Sequence, residues 1–138
     1  MTIVLVILIK NKKIGISIFS NLVIITILNQ LIKRILQRPR PTEYRIIEET
    51  GYSFPSGHSM VSMAFYGYLI YLIYKYVKNK YLKWISIVLL SILICSIGVS
   101  RIYLGVHYTS DVLGGFLLSI SYLVIYISAV NKFLIKDK

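Results

Sequence analysis

Four stretches of the chain run without a charged residue: 14–32, 59–74, 84–100 and 112–131. Each is dense in isoleucine, leucine, valine and aromatic side chains, and each is closed at one or both ends by lysine, arginine, histidine or aspartate. A helix needs about 20 residues to cross roughly 30 Å of hydrocarbon. The second and third runs therefore draw in flanking residues, whose lysines can reach back to the interface. The pattern predicts helices at 14–36, 57–77, 82–100 and 108–133, with a loop at 37–56. The expected fold is all-α, a transmembrane bundle of four crossings forming one domain over residues 1–138.

Residues 3–9 are apolar too, but as a helix they would reach only about 10 Å before Lys10, Lys12 and Lys13 intervene. They lack the basic start and the small-residue cleavage site of a signal peptide. Residues 1–9 read as the tail of an upstream helix or as an interfacial segment. There is no repeat, no low-complexity linker and no second domain.

Composition supports the membrane reading, since 57% of the 138 residues are hydrophobic, more than a soluble domain of this length can bury. The single cysteine, Cys95, lies inside an apolar run and reads as a small core residue. A net charge of +11 would suggest nucleic acid in a soluble protein. Here the cations are scattered over separate helix ends, which argues against a nucleic-acid partner. Tracing four crossings puts ten lysines on the side holding both termini, offset only by Asp137. The other side holds six cations (Lys33, Arg34, Arg38, Arg40, Arg45, Arg101) against Glu43, Glu48, Glu49 and Asp111. The positive-inside rule places the lysine-rich side and both termini in the cytoplasm. The protein is expected in the plasma membrane as a multi-pass protein, with the arginine-bearing face outside.

That outer face collects ionisable groups from all four helix ends. Lys33, Arg34, Arg38 and Arg40 close the first helix, His58 opens the second, Arg101 follows the third, and His107 with Asp111 opens the fourth. Taken singly, Arg34 or Arg38 reads as an interfacial anchor. As a set, ionisable groups at membrane depth mark a site. His107 and Asp111 are four apart, so on a helix they share a face, where the carboxylate can hold one imidazole nitrogen and leave the other unprotonated. That is the arrangement of an activated nucleophile or base. Lys33, Arg40 and Arg101 have no matching trio of carboxylates, and guanidinium groups suit the paired oxygens of phosphate. The turn Pro55, Ser56, Gly57, His58 can aim free backbone N–H groups and the positive end of a helix at the same anion, with Gly57 allowing close approach. Ser56 can cap the helix or donate to the anion. No Cys/His cluster or carboxylate group has metal-ligand spacing, so no metal or other cofactor is expected.

Three motifs in order, Lys33-x6-Arg40-Pro41, Pro55-Ser56-Gly57-His58 and Ser100-Arg101-x5-His107-x3-Asp111, resemble the signature of the type 2 phosphatidic acid phosphatases, the lipid phosphate phosphatases. The resemblance covers 33–111 directly and, through the helices, most of 14–131. It implies a metal-independent phosphomonoesterase or diphosphatase working through a phosphohistidine. His107 would be the nucleophile, Asp111 its orienting partner and His58 the acid that protonates the leaving group. Lys33, Arg40, Ser56, Gly57 and Arg101 would hold phosphoryl oxygens. Soluble vanadium-dependent haloperoxidases share this signature, but helices this uniformly apolar do not fit a protein surrounded by water.

An amphiphilic substrate is expected: a membrane lipid phosphate such as undecaprenyl diphosphate, phosphatidic acid or phosphatidylglycerol phosphate, with undecaprenyl diphosphate foremost by analogy. Within the loop, the stretch from Pro41 to Phe54, with Tyr44, Ile46, Ile47, Tyr52 and Phe54, has the mix of an interface-resting lid. The membrane members of the family typically have six crossings, so the first two helices of that core are expected to be missing here. A fragment, a shortened gene product, or a minimal form that restores its missing wall as a homo-oligomer would each fit. Two other readings of the same residues are a non-catalytic anion-binding or transport protein and an inactive truncated remnant.

Overall fold

The computed structural model describes residues 12–134, so the expectation for residues 1–9 lies outside the described part. Four helices follow in order: α1 (Lys12–Leu36), α2 (Gly57–Tyr76), α3 (Lys80–Tyr103) and α4 (Thr109–Phe133). Among the described residues there is no strand.

Local chemistry sets the helix ends. Ser56 is the N-cap of α2 and its side chain accepts from Ser59 N at 3.4 Å. Asn79 caps α3, accepting from Leu82 N at 3.0 Å. Helix α3 ends where Leu104 N donates to the Ser100 carbonyl (3.0 Å) and Gly105 N to the Ile102 carbonyl (2.9 Å). Gly105 then turns the chain at φ +70, and a Cβ there would collide with the Tyr44 carbonyl. Only glycine takes that backbone freely, and only glycine leaves room for the 37–56 loop to dock. Consequently α3 runs past residue 100, and Arg101 stands in its last turn rather than beyond it.

Helix α2 is the hub and packs against α1, α3 and α4, whereas α4 meets α1 and α3 only narrowly. The main apolar cluster joins Ile14, Tyr68, Leu69, Leu72, Leu90, Leu123, Tyr126 and Val130, and a smaller one of Ile25, Met60 and Ala64 lies closer to the 37–56 loop. Polar side chains lie between the helices. Asn21 Nδ2 donates to the Ala64 carbonyl (2.9 Å) and Ser119 Oγ to the Met60 carbonyl (2.7 Å). Tyr68 OH donates to Ser17 Oγ (2.8 Å) and Tyr126 OH to the Ser17 carbonyl (2.5 Å). Such bonds tie helices together where no water competes for them.

The outside of the bundle is apolar: Phe19, Leu117, Val124 and Ile125 are all exposed. Helices α1, α3 and α4 are long and apolar enough to cross a membrane by length and composition. Helix α2 falls short of that measure. It packs against all three other helices, and Ser59, Ser62 and Tyr68 lie on its buried faces. Its 20 residues still rise about 30 Å.

Candidate active site

Four chain segments meet at one end of the bundle: the C-terminal turns of α1 and α3, the N-terminal turns of α2 and α4, with the 37–56 loop folded across them. His107 is at the centre and only 3% exposed. It does not lie on a helix face with Asp111, because Asp111 Oδ2 accepts the Tyr108 backbone N–H at 2.9 Å and starts α4 after residue 108. The pair meets across that helix start instead, with His107 Nδ1 3.5 Å from Asp111 Oδ2.

The tautomer of His107 follows from its neighbours. Arg40 NH1 lies 3.3 Å from Nε2, and a guanidinium can only donate, so Nε2 is the acceptor. The ring proton is then on Nδ1, facing Asp111 and the Ser53 hydroxyl at 3.4 Å. Ser53 Oγ donates to Asp111 Oδ2 in a short hydrogen bond, which leaves its lone pairs open to Nδ1–H. Burial, and after it the charges of Arg40 and Lys33, push the His107 pKa down to about 4, against the opposing pull of Asp111 and Glu49. At neutral pH the imidazole is uncharged, with its unprotonated nitrogen, Nε2, turned to Arg40.

Asp111 is fully buried and its charge is well matched. Arg38 NH1 donates to Oδ1 at 2.8 Å, while the Ser53 hydroxyl and the Tyr108 N–H take Oδ2. Its backbone carbonyl accepts Ser56 N at 3.1 Å, which fastens the Pro55-Ser56-Gly57 turn to the start of α4.

Nε2 of His107 faces a cluster of cations that already holds a carboxylate. Glu49 Oε2 lies 2.8 Å from Arg40 NH1 and 3.9 Å from His107 Nε2, and Glu49 Oε1 lies 3.7 Å from Arg101 NH1. Arg40 is fixed by the carbonyls of Gly51 (3.1 Å), Thr50 (3.2 Å) and Val106 (2.9 Å).

Other expected residues stand further from this centre. Lys33 Nζ donates to the carbonyls of Tyr52 (2.5 Å) and Ser53 (3.4 Å) and so braces the loop. Ser56 is fully buried and its hydroxyl takes part in the α2 cap, accepting from Ser59 Oγ at 2.9 Å. At Gly57 a Cβ would lie 3.2 Å from Asn29 Oδ1, so α1 and α2 approach closely there. His58 is exposed and lines a cavity of about 530 Å³ between α1, α2 and α3, together with Thr26, Asn29, Gln30, Gly57 and Arg101.

A family model described as the PAP2 superfamily matches residues 14–135. The chain belongs to the PAP2 superfamily. It is 38% identical to a phosphatidylglycerophosphatase B of Bacillus subtilis (strain 168) over 96 residues, covering 68% of this chain and 47% of that protein. It is 30% identical to an undecaprenyl-diphosphatase of Sulfolobus acidocaldarius over 138 residues, covering 94% of this chain and 63% of that protein. The crystal structure of a transmembrane PAP2-type phosphatidylglycerolphosphate phosphatase from Bacillus subtilis superposes with a TM-score of 0.78 at 30% identity, covering 86% of this chain and 60% of that one. The chain thus spans about half to three fifths of the length of these relatives. With this likeness and three apolar helices, it is a membrane protein of the PAP2 type.

Three residues at this PAP2 site were not singled out from sequence. Arg38 reads there as a helix-end anchor. One signal was available: in Arg38-Pro39-Arg40-Pro41 the prolines hold the chain extended, where residues two apart can serve one side. Ser53 and Glu49 sit in an irregular loop without spacing to mark them.

Proposed function

We propose that this protein hydrolyses the phosphate monoester or diphosphate of a membrane lipid through a phosphohistidine on His107, without a metal ion. The observation that carries this reading is the polarity of His107: Nδ1 is backed by Asp111 and Ser53, while Nε2 faces an anion held by Arg40 and Arg101.

In the first step the Nε2 lone pair attacks phosphorus, the N–P bond forms and the P–O bond to the lipid breaks. His58 gives its proton to the departing oxygen, which otherwise leaves poorly. The developing charge on His107 is stabilised by Asp111, itself held by Arg38. Arg40, Arg101 and the first N–H groups of α2 match the charge on the phosphoryl oxygens, as phosphoryl transfer requires. In the second step neutral His58 takes a proton from water, the water oxygen bonds to phosphorus, the N–P bond breaks and inorganic phosphate leaves. Lys33, Ser56 and Gly57 act by holding the loop and the helix start against the phosphoryl group.

The α1–α2–α3 cavity supports a lipid as substrate, because its lining combines His58 and Arg101 with Leu22, Val61, Phe65 and Ile97. A headgroup can enter from the side while its chains remain in the bilayer. Phosphatidylglycerol phosphate and undecaprenyl diphosphate are the substrates to test first. The described lysines at the other end of the bundle, from Lys12 to Lys132, support a cytoplasmic assignment for that end and an extracytoplasmic site in the plasma membrane. Purified protein in detergent should release phosphate from one of these lipids with chelator present, and His107→Ala should abolish release. Release that persists in the variant, or that requires added magnesium, overturns the proposal.

A further inference from the structure

Glu49 occupies the place where an anionic ligand would sit. Its two carboxylate oxygens span Arg40 (2.8 Å) and Arg101 (3.7 Å), and the oxygen on Arg40 is also 3.9 Å from His107 Nε2. A phosphoryl group accepting from both guanidiniums in front of Nε2 needs the same volume and the same donors, so the two cannot be bound together. Arg40 and Arg101 are largely buried, at 9% and 17% side-chain exposure. A largely buried guanidinium is costly without an anionic partner, and Glu49 supplies one to both.

The carboxylate is also placed to leave. Glu49 is on the irregular 37–56 loop, is 23% exposed and is flanked by exposed Glu48 and Thr50. The loop is fastened elsewhere, by Ser53 N on the Arg38 carbonyl (2.8 Å), Ile46 N on the Leu104 carbonyl (3.1 Å) and Arg40 on the carbonyls of Thr50 and Gly51. Rotation of one side chain empties the seat and leaves those ties in place.

We propose that Glu49 is an intrinsic ligand of the phosphate seat, its carboxylate between Arg40, Arg101 and His107 Nε2 competing with the phosphoryl group and returning to displace inorganic phosphate after each turnover. The inference rests on the phosphatase reading of the site and adds a residue that governs its affinity. Because the competing state must be vacated by any phosphate ligand, lipid ester and inorganic phosphate are weakened by the same factor. Neither stays long, and turnover continues in the presence of product.

The test is equilibrium binding of inorganic phosphate to the detergent-purified full chain, followed by calorimetry, for the unaltered protein and for Glu49→Gln, Glu49→Ala and Arg40→Ala. Glutamine keeps the size of the side chain and removes its charge. Both Glu49 variants should bind phosphate about 10-fold more tightly or better, the scale of removing one competing charge-assisted hydrogen bond. In turnover assays KM for the lipid should fall with them, and kcat should fall as product release slows. Arg40→Ala should lose phosphate binding. If Arg40→Ala loses binding while both Glu49 variants bind phosphate no tighter than the unaltered chain, Glu49 orients the arginines and the competitor role is wrong, with the anion seat intact. If phosphate binds the unaltered chain and Arg40→Ala equally, or binds none of the four proteins, the seat itself has been misplaced and this inference falls with it.

Discussion

Arg38 and Asp111, 73 residues apart in sequence, are joined by a 2.8 Å ion pair that fixes the carboxylate behind His107. The arginine lies 4.4 Å from the centre of the Tyr108 ring and also donates to Ser110 Oγ at 2.7 Å. Three residues at the start of α4 thus hold one guanidinium. Arg38→Ala leaves the buried Asp111 charge short of a partner, which costs about 1–3 kcal/mol. We expect kcat to fall about 10- to 100-fold with KM little changed, the rate equivalent of that loss. Arg38→Lys keeps the charge but not the fork, so it should restore only part of kcat. A normal kcat in Arg38→Ala would show that Asp111 needs no such support.

Ser53 completes the same arrangement from the loop side. Its hydroxyl donates to Asp111 and stands 3.4 Å from His107 Nδ1. Ser53→Ala should lower kcat more modestly, by about 10-fold, because Asp111 keeps Arg38 and the Tyr108 N–H. Steady-state kinetics on both variants separates the two contributions.

The depressed pKa of His107 has a definite pH signature. Its folded value of about 4 lies below the ordinary 6.5. Between those values the unfolded chain binds a proton that the folded chain does not, so this group's contribution to stability rises with pH through that window and is lost as pH falls from about 6.5 to 4. Over the same range the folded protein retains the neutral ring. Nitrogen-15 NMR of histidine-labelled protein should show one imidazole, absent in His107→Ala, titrating near 4. A midpoint near 6.5 for that signal would contradict the burial described here.

Gly105 links the helix end to the loop. Gly105→Ala forces a side chain into a left-handed backbone position against the Tyr44 carbonyl, at a cost of about 1–3 kcal/mol. Limited proteolysis should cut the 37–56 loop faster in this variant, while α1 to α4 stay protected.

Much of this arrangement can be read from the chain because two signals are local. Uncharged apolar runs mark the helices, and the signature residues lie at their ends, so Arg40, Arg101, His58, His107 and Asp111 can be placed around one end of a bundle before any coordinates are seen. The same method errs where a helix end depends on a distant contact. Arg101 falls inside α3 because Gly105, packed against the loop, sets the stop. His107 falls outside α4 because Asp111 turns its carboxylate to the Tyr108 N–H. Helix α2 is less apolar than the other three because part of its surface, with Ser59, Ser62 and Tyr68, packs against all of them, which hydropathy cannot report. Glu49 reaches Arg101, and Ser53 reaches the 107–111 turn, across more than fifty positions of chain, and no spacing rule reaches that far from an irregular loop.

The central claim is a covalent bond between His107 Nε2 and phosphorus. The direct measurement is to mix the protein with lipid phosphate, quench within the first turnover into alkali, where phosphohistidine survives, and map the phosphoryl group by peptide mass spectrometry. The account predicts an acid-labile phosphoryl group on the peptide carrying His107, raised in amount by His58→Ala when the leaving group needs no proton. Turnover with no such adduct at any quench time, or an adduct on another residue, would contradict it.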